Sequence, residues 1–340
     1  MKAIQLEKPE HLRLIDIVEP QKPGANEVLV AIRCIGICGT DYSGYLGKFP
    51  FYSYPRIPGH ELGVEVIEVG PEVKNVAPGD RCAVEPYMNC ERCYACQRGH
   101  TNCCEHLKTL GVMCDGGMRE QMILPARKLH LSPKLTFEQL ALVETLAIGC
   151  HAVDRGKTEP GDNVVIIGAG PIGLSVIEFV KVAGAKSIVL DVNEQRLSFS
   201  KDVLGVDHII HLVGADSAVK QLADVTDGHL ADLVVDATGN NSSMGQALRY
   251  VASAGRLVYV GITQQEISFA HRSMHLREMT LFASRNALPR DFARIVKLIE
   301  DGKINTQPWV THRTSLSDIP DAFANFLKPE NRVLKAMIEV

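Results

Sequence analysis

Val164-Val165-Ile166-Ile167-Gly168-Ala169-Gly170-Pro171-Ile172-Gly173 decides how this chain folds. Four β-branched residues in a row make a short strand that can be buried on both faces, and the glycines delay any helix until Pro171. A helix-period run then continues to about Ala183, and a second strand, Ser187 to Leu190, ends in Asp191. A lone glycine triplet carries little information, but this one has a strand before it, a helix after it and an acid about 20 residues on. Gly168, Gly170 and Gly173 let the backbone approach a pyrophosphate, and the helix opened by Pro171 and Ile172 offers its charge unpaired N–H groups. Asp191 is placed for both hydroxyls of an adenosine ribose. A carboxylate there repels a 2′-phosphate, which favours NAD, while Arg196 leaves NADP open.

Downstream the alternation repeats: strand His208 to His211, helix Ser217 to Asp227, strand Leu233 to Asp236, helix Ser243 to Val251, strand Leu257 to Val260, last strand Met279 to Ala283. This is α/β, a doubly wound parallel sheet of the Rossmann type. Thr238-Gly239 and Gly261 each follow a strand, at the carboxyl edge where such sheets bind ligands. Phe292, Ile295, Val296 and Ile299 mark an amphipathic helix stopped by Asp301-Gly302. The short strands Trp309 to Arg313 and Leu334 to Ile338 are too few for a domain and are expected to rejoin the N-terminal part.

Upstream, apolar residues come in short period-two runs, Leu12 to Ile17, Val28 to Ile37, Leu62 to Val69 and Arg81 to Val84, separated by Pro/Gly turns. A further strand runs from Met118 to Leu124. In this β unit Cys38-Gly39-Thr40-Asp41 follows a strand end, and Gly59-His60-Glu61 comes next. A thiolate, a neutral imidazole and a carboxylate form a zinc set with one position open, the arrangement Lewis-acid chemistry requires. The alternative is an inert core thiol and a solvated strand glutamate. Cys90, Cys93, Cys96 and Cys104 suit a closed, structural tetrathiolate zinc, with Cys103 as a possible substitute for Cys104. Cys34, Cys82, Cys114 and Cys150 lie in apolar or glycine-rich settings as ordinary buried thiols. Glu144 sits in an apolar helical segment, Glu138 to Arg155, where a carboxylate needs a partner. A metal is one partner and the helix dipole another.

At 340 residues the chain is expected to form two domains. A net charge of −4 supplies no basic stripe for nucleic acid. The longest apolar run, Val164 to Ile177, falls short of the roughly 18 to 20 residues a membrane span requires. Ten cysteines without a visible export signal point to a reducing, cytoplasmic setting in which clustered thiols bind metal.

Taken together, Cys38-Gly39-Thr40-Asp41, Gly59-His60-Glu61, the four-cysteine loop and Gly168 to Gly173, in this order, resemble the zinc-containing medium-chain alcohol dehydrogenases. Glu144 and the stretch Phe51 to Arg56 look like the sorbitol dehydrogenase branch, and more narrowly its sugar-acid (galactonate-type) oxidoreductases. The resemblance implies a GroES-like β-rich catalytic domain over residues 1–148 and 285–340, carrying the structural zinc loop at 88–106, and an NAD-binding Rossmann domain over 149–284. It implies two Zn2+ per subunit: a catalytic ion on Cys38, His60 and Glu144, with Glu61 exchangeable, and a structural ion on the four thiolates. Asp41 would hydrogen-bond the outer nitrogen of His60, and Thr40 would take the substrate proton. A homodimer or homotetramer formed near Met279 to Ala283 is also implied.

Two positions depart from the family pattern: Ser43 replaces a proton-relay histidine, and Thr145 replaces a proline. Lys48, Arg56 and Arg285 are candidates for a substrate carboxylate, against the plainer reading of solvated cations. The activity implied is reversible NAD-linked oxidation of a secondary alcohol of a polyol or sugar acid (L-galactonate-like). The alternatives are a zinc-independent enone or quinone reductase on the same scaffold and a non-catalytic NAD-sensing or zinc-stabilised binding protein.

Overall fold

The computed structural model describes residues 1–340. The chain divides into two compact units: Met1–Thr145 with Leu288–Val340, and Leu146–Ala287. No helix is long and apolar enough to cross a membrane.

The first unit begins with a hairpin, β1 (Lys2–Lys8) and β2 (His11–Asp16), followed by β3 (Glu27–Gly36), a short helix α1 (Gly39–Tyr45), β4 (Glu61–Val69) and β5 (Arg81–Val84). After these come β6 (Tyr87–Met88), α2 (Tyr94–Gln97), β7 (Lys108–Thr109), β8 (Gln121–Pro125) and β9 (Leu129–Leu131). Helix α3 (Phe137–Arg155) contains the boundary between the units. Of the remaining elements, α9 (Pro289–Glu300), β16 (Val310–Ser315), α10 (Ile319–Phe326) and β17 (Lys335–Glu339) belong to this unit.

Its main sheet has the order β16-β17-β3-β4-β5-β9, with β8 also on β3. The C-terminal strands therefore do rejoin the N-terminal β unit, β17 pairing antiparallel with β3. Alternation along β3 and β4 turns Val30, Ile32, Leu62 and Val64 into a core shared with Ile4, Leu6 and Phe323.

The second unit holds β10 (Asn163–Ile167), α4 (Pro171–Val182), β11 (Lys186–Asp191), α5 (Glu194–Asp202), β12 (His208–His211), α6 (Ala215–Val225), β13 (Ala231–Asp236), α7 (Asn241–Gln246), β14 (Val251–Tyr259), α8 (His271–Leu276) and β15 (Thr280–Ala283). All six strands are parallel, in the order β12-β11-β10-β13-β14-β15. Strand β10 is the hub, with Val165 and Ile167 fully buried, as an unbroken β-branched run in a parallel sheet requires.

Several elements differ from the expectation, among them helices α1, α5 and α10, where no helix was expected. The helix expected over Ser243 to Val251 stops at Gln246, and Ala247–Tyr250 tightens into a 3-10 turn. Val251 instead opens β14 opposite Ala231, so strand pairing overrides local helical character. Helix α8 gave no clear periodic signal and has no buried residue.

Glu178 on α4 is 4% exposed, and burial raises its carboxyl above the ordinary range despite the nearby Lys181. A carboxyl whose folded-state pKa is raised contributes stability that is fully present below the ordinary carboxylate value and is lost as pH rises through its higher folded-state value. Glu178→Gln is therefore expected to raise the melting temperature at pH 7, with the gain vanishing in acid. A gain independent of pH would contradict this.

Candidate active site

The site in the first unit is built where β3 ends and β4 begins. Cys38 caps the N-terminus of α1, and Asp41, three residues on, accepts the Cys38 backbone N–H through Oδ2 at 2.9 Å. This local cap fixes the thiol at the strand end. Cys38 Sγ, a His60 ring nitrogen and a Glu61 carboxylate oxygen lie within 4.8 Å of one another. His60 is 4% exposed and Glu61 fully buried.

The expected hydrogen bond from His60 to Asp41 is not made. Asp41 Oδ1 faces His60 Nδ1 at 3.8 Å, too far for a hydrogen bond, and neither atom has another partner. The cause is the cap, which commits the other carboxylate oxygen of Asp41 to backbone. Thr40, in the first turn of α1, is half-buried beside this group.

Glu61 differs from a simple ligand. Lys335 Nζ, itself 1% exposed, donates to both its oxygens at 2.6 and 2.5 Å and to the Ile37 carbonyl at 3.3 Å. Register explains the meeting: Gly36 lies opposite Glu61 on β4 and opposite Met337 on β17, and Lys335 is on the same face as Met337. Gly36 also makes the room, because a Cβ there would fall 1.9 Å from Glu61 Oε2.

Glu144 is not part of the close group. It is 5% exposed on α3 and accepts the Tyr87 hydroxyl through Oε1 at 2.5 Å. Burial raises Glu144 and Asp41 above the usual carboxylate range. Burial opposes a charged His60, yet the charges of Asp41 and Cys38 outweigh it and push the imidazole up. With Lys335 committed to Glu61, the thiol, imidazole and remaining carboxylate suit a divalent cation by ligand type.

The thiolate loop fits a tetrahedral ion more closely. All four sulfurs of Cys90, Cys93, Cys96 and Cys104 lie within 4.8 Å of one another, and Cys93 Sγ is 3.8 Å from Cys104 Sγ. A tetrahedron with metal–sulfur bonds of about 2.3 Å has an edge of about 3.8 Å. Cys104 is buried and Cys103 exposed, which removes the ambiguity between them. The backbone N–H groups of Cys90 and His106 each donate to Cys104 Sγ at 3.3 Å. Backbone donors hold Cys90 low and bring Cys93 down to about 6.

In the second unit Gly168 adopts φ +97°, and a Cβ on Gly173 would fall 1.7 Å from the Gly168 carbonyl oxygen, so strand and helix meet only without side chains. Gly170 is the N-cap of α4, with Pro171 and Ile172 in its first turn. Asp191 accepts Ala169 N–H at 2.6 Å and Asn193 N–H at 2.8 Å, which fixes the glycine turn against β11. The Arg196 guanidinium lies 3.7 Å from where a Gly170 Cβ would sit. Thr238 bonds Asp236 after β13, and Gly261 packs on Gly239, where a Cβ would fall 2.1 Å from the Gly239 nitrogen.

Of the cations offered for a substrate carboxylate, Arg56 is committed to Asp115 at 3.0 Å and to Ser53 at 2.5 Å. Lys335, Tyr87 and Gly36 were not identified from sequence. Lys335 leaves one trace there, a lysine inside the apolar run Val333 to Ile338.

A tetrathiolate loop and a thiolate–imidazole pocket in one unit, in one chain with a dinucleotide-type parallel sheet, define a zinc-type oxidoreductase. The chain belongs to the zinc-containing medium-chain alcohol dehydrogenases: residues 24–134 match the alcohol dehydrogenase GroES-like domain and residues 171–301 the zinc-binding dehydrogenase family. It is 35% identical over 316 residues to the L-galactonate-5-dehydrogenase of Escherichia coli K12, covering 93% of this chain and 92% of that one. The L-threonine 3-dehydrogenase of Pyrococcus furiosus is 34% identical over 322 residues, covering 92% and 91%. Among solved structures, the alcohol dehydrogenase RspB of Escherichia coli CFT073, complexed with NADH, superposes with a TM-score of 0.92 at 29% identity, covering 100% and 99%.

Proposed function

We propose that this chain is a zinc- and NAD-dependent dehydrogenase that reversibly oxidises a secondary alcohol of a polyol or sugar acid, an L-galactonate-like compound, to the ketone. The observation that carries the reading is the gathering of half-buried Cys38 with buried His60, Glu61 and Glu144, in which Lys335 is already committed to Glu61. Bound, zinc supplies Lewis acidity toward the substrate hydroxyl and the dinucleotide supplies the hydride acceptor.

Cys38 and His60 would hold the ion, with Glu144 as the carboxylate that keeps one oxygen free of Tyr87, and Glu61 kept back by Lys335. Asp41 orients the loop that carries Cys38. The Thr40 hydroxyl would accept the substrate proton and pass it to water, since Ser43 stands where a relay imidazole would. Gly168, Gly170, Gly173, Asp191 and Arg196 would bind the dinucleotide. The names of the two relatives support a substrate bearing both a hydroxyl and a carboxylate. Lys48, Arg56 and Arg285 are the cations offered for that carboxylate, and each already has a partner within the chain. A homodimer or homotetramer would form along β15, the edge strand of its sheet.

The test is an NAD-reduction screen over polyols and aldonic and uronic acids, with chelator and with added zinc. Reduction that a chelator abolishes and zinc restores is expected. Chelator-insensitive reduction of enones, or cofactor binding with no turnover on any alcohol, would replace this reading.

A further inference from the structure

The segment 85–90 runs from the pocket to the thiolate loop, and its alternate side chains are each tied down. Glu85 is in a buried ion pair with Lys128. Tyr87 donates to Glu144, and Asn89 donates through Nδ2 to Cys96 Sγ at 3.7 Å. Arg127 clamps Asn89 from the other side, Nη1 to its Oδ1 at 2.9 Å and Nη2 to its carbonyl at 3.1 Å. Strands β6 and β7 pair across the neck of the loop, Tyr87 opposite Thr109 and Met88 opposite Lys108. Tyr87 is 2% exposed, and its ring packs edge-on against Phe292 at 6.1 Å, which in turn stacks on His130 at 5.0 Å. A side chain confined in this way has one place to put its hydroxyl.

We infer that Tyr87 is a positioning residue through which the tetrathiolate loop sets the stance of Glu144 at the Cys38–His60 pocket. The inference rests on the reading that the pocket holds zinc. The loop fixes Asn89 and the β6–β7 ladder, the ladder fixes Tyr87, and Tyr87 fixes one oxygen of Glu144, leaving the other for the ion or its water. Partners that hold a ligating carboxylate commonly change metal affinity by about 10- to 100-fold when removed.

The test uses the zinc-loaded enzyme and follows, with a colorimetric zinc indicator, how fast a chelator strips the more labile ion. Tyr87→Phe removes only the hydroxyl and is expected to speed release about 10-fold or more. Glu144→Gln is expected to do the same, and Tyr87→Phe in that background to add nothing, because both act on one contact. Asn89→Ala, which alters neither Glu144 nor Tyr87 directly, is expected to speed release by a smaller factor.

Release unchanged by Tyr87→Phe, or accelerated equally in the Glu144→Gln background, would overturn the inference and leave Tyr87 a packing residue. Release unchanged by Asn89→Ala would overturn its link to the loop. Unaltered enzyme holding zinc in the thiolate loop alone would sink the functional reading as well, and is seen before any variant is made.

Discussion

Cys38→Ser and His60→Ala are each expected to lower kcat by about 1,000-fold or more while dinucleotide affinity stays within about two-fold. The size follows from losing several kcal/mol of charge stabilisation at the reacting oxygen, at about 1.4 kcal/mol per factor of ten. Selectivity follows from topology: the glycine turn, Asp191 and Arg196 lie in the unit Leu146–Ala287, whereas Cys38 and His60 lie in the other. Three measurements decide it: kcat on the best alcohol from the screen, NADH affinity by fluorescence titration, and zinc per chain by elemental analysis. Zinc is expected to drop by one ion per chain, the thiolate loop keeping its own. Ordinary turnover in either variant would refute the assignment of the pocket. Parallel loss of turnover and NADH affinity would point to misfolding instead.

The features legible in the sequence are those whose parts lie close along the chain. The glycine turn is local in this sense: the strand, Gly168, Gly173 and the helix start fall within ten residues, and one carbonyl contact explains the third glycine. The cysteine loop is local too, although spacing could not separate Cys103 from Cys104, because neighbours in sequence point to opposite environments only once the turn is built. Long-range register was not legible. Lys335 and Glu61 are 274 positions apart, and their pairing depends on β17, β3 and β4 being laid side by side in one alignment. Asp41 shows a milder form of the same limit. The resemblance implies a bond to His60, but the carboxylate is spent first on the nearer Cys38 N–H.

Lys335→Met is expected to destabilise the first unit by about 3–5 kcal/mol, the cost of leaving a buried charge without its partner. Glu61 and Lys335 are 0% and 1% exposed, and the ammonium spans both carboxylate oxygens, so almost no water is available to replace it. Replacing both, Lys335→Met with Glu61→Gln, is expected to recover most of the loss, since no uncompensated charge is then buried.

The pH dependence has a definite sign. Burial alone would raise Glu61, but the Lys335 charge outweighs it and holds the carboxyl below its ordinary value; the same pairing outweighs burial at Lys335 and holds the ammonium above its ordinary value. The depressed carboxyl contributes stability above the ordinary carboxylate range that is lost as pH falls through its folded value. The raised ammonium contributes stability below the ordinary lysine range that is lost as pH rises through its folded value. The gap between the unaltered chain and Lys335→Met is therefore widest at neutral pH and narrows in acid, where the stranded Glu61 takes up a proton. Urea titrations at a series of pH values and a fixed free-zinc concentration would measure it. A single variant within 1 kcal/mol of the unaltered chain, or a double variant no better than the single, would mean that the pair carries no net charge coupling, and that Glu61 is free to compete for the ion.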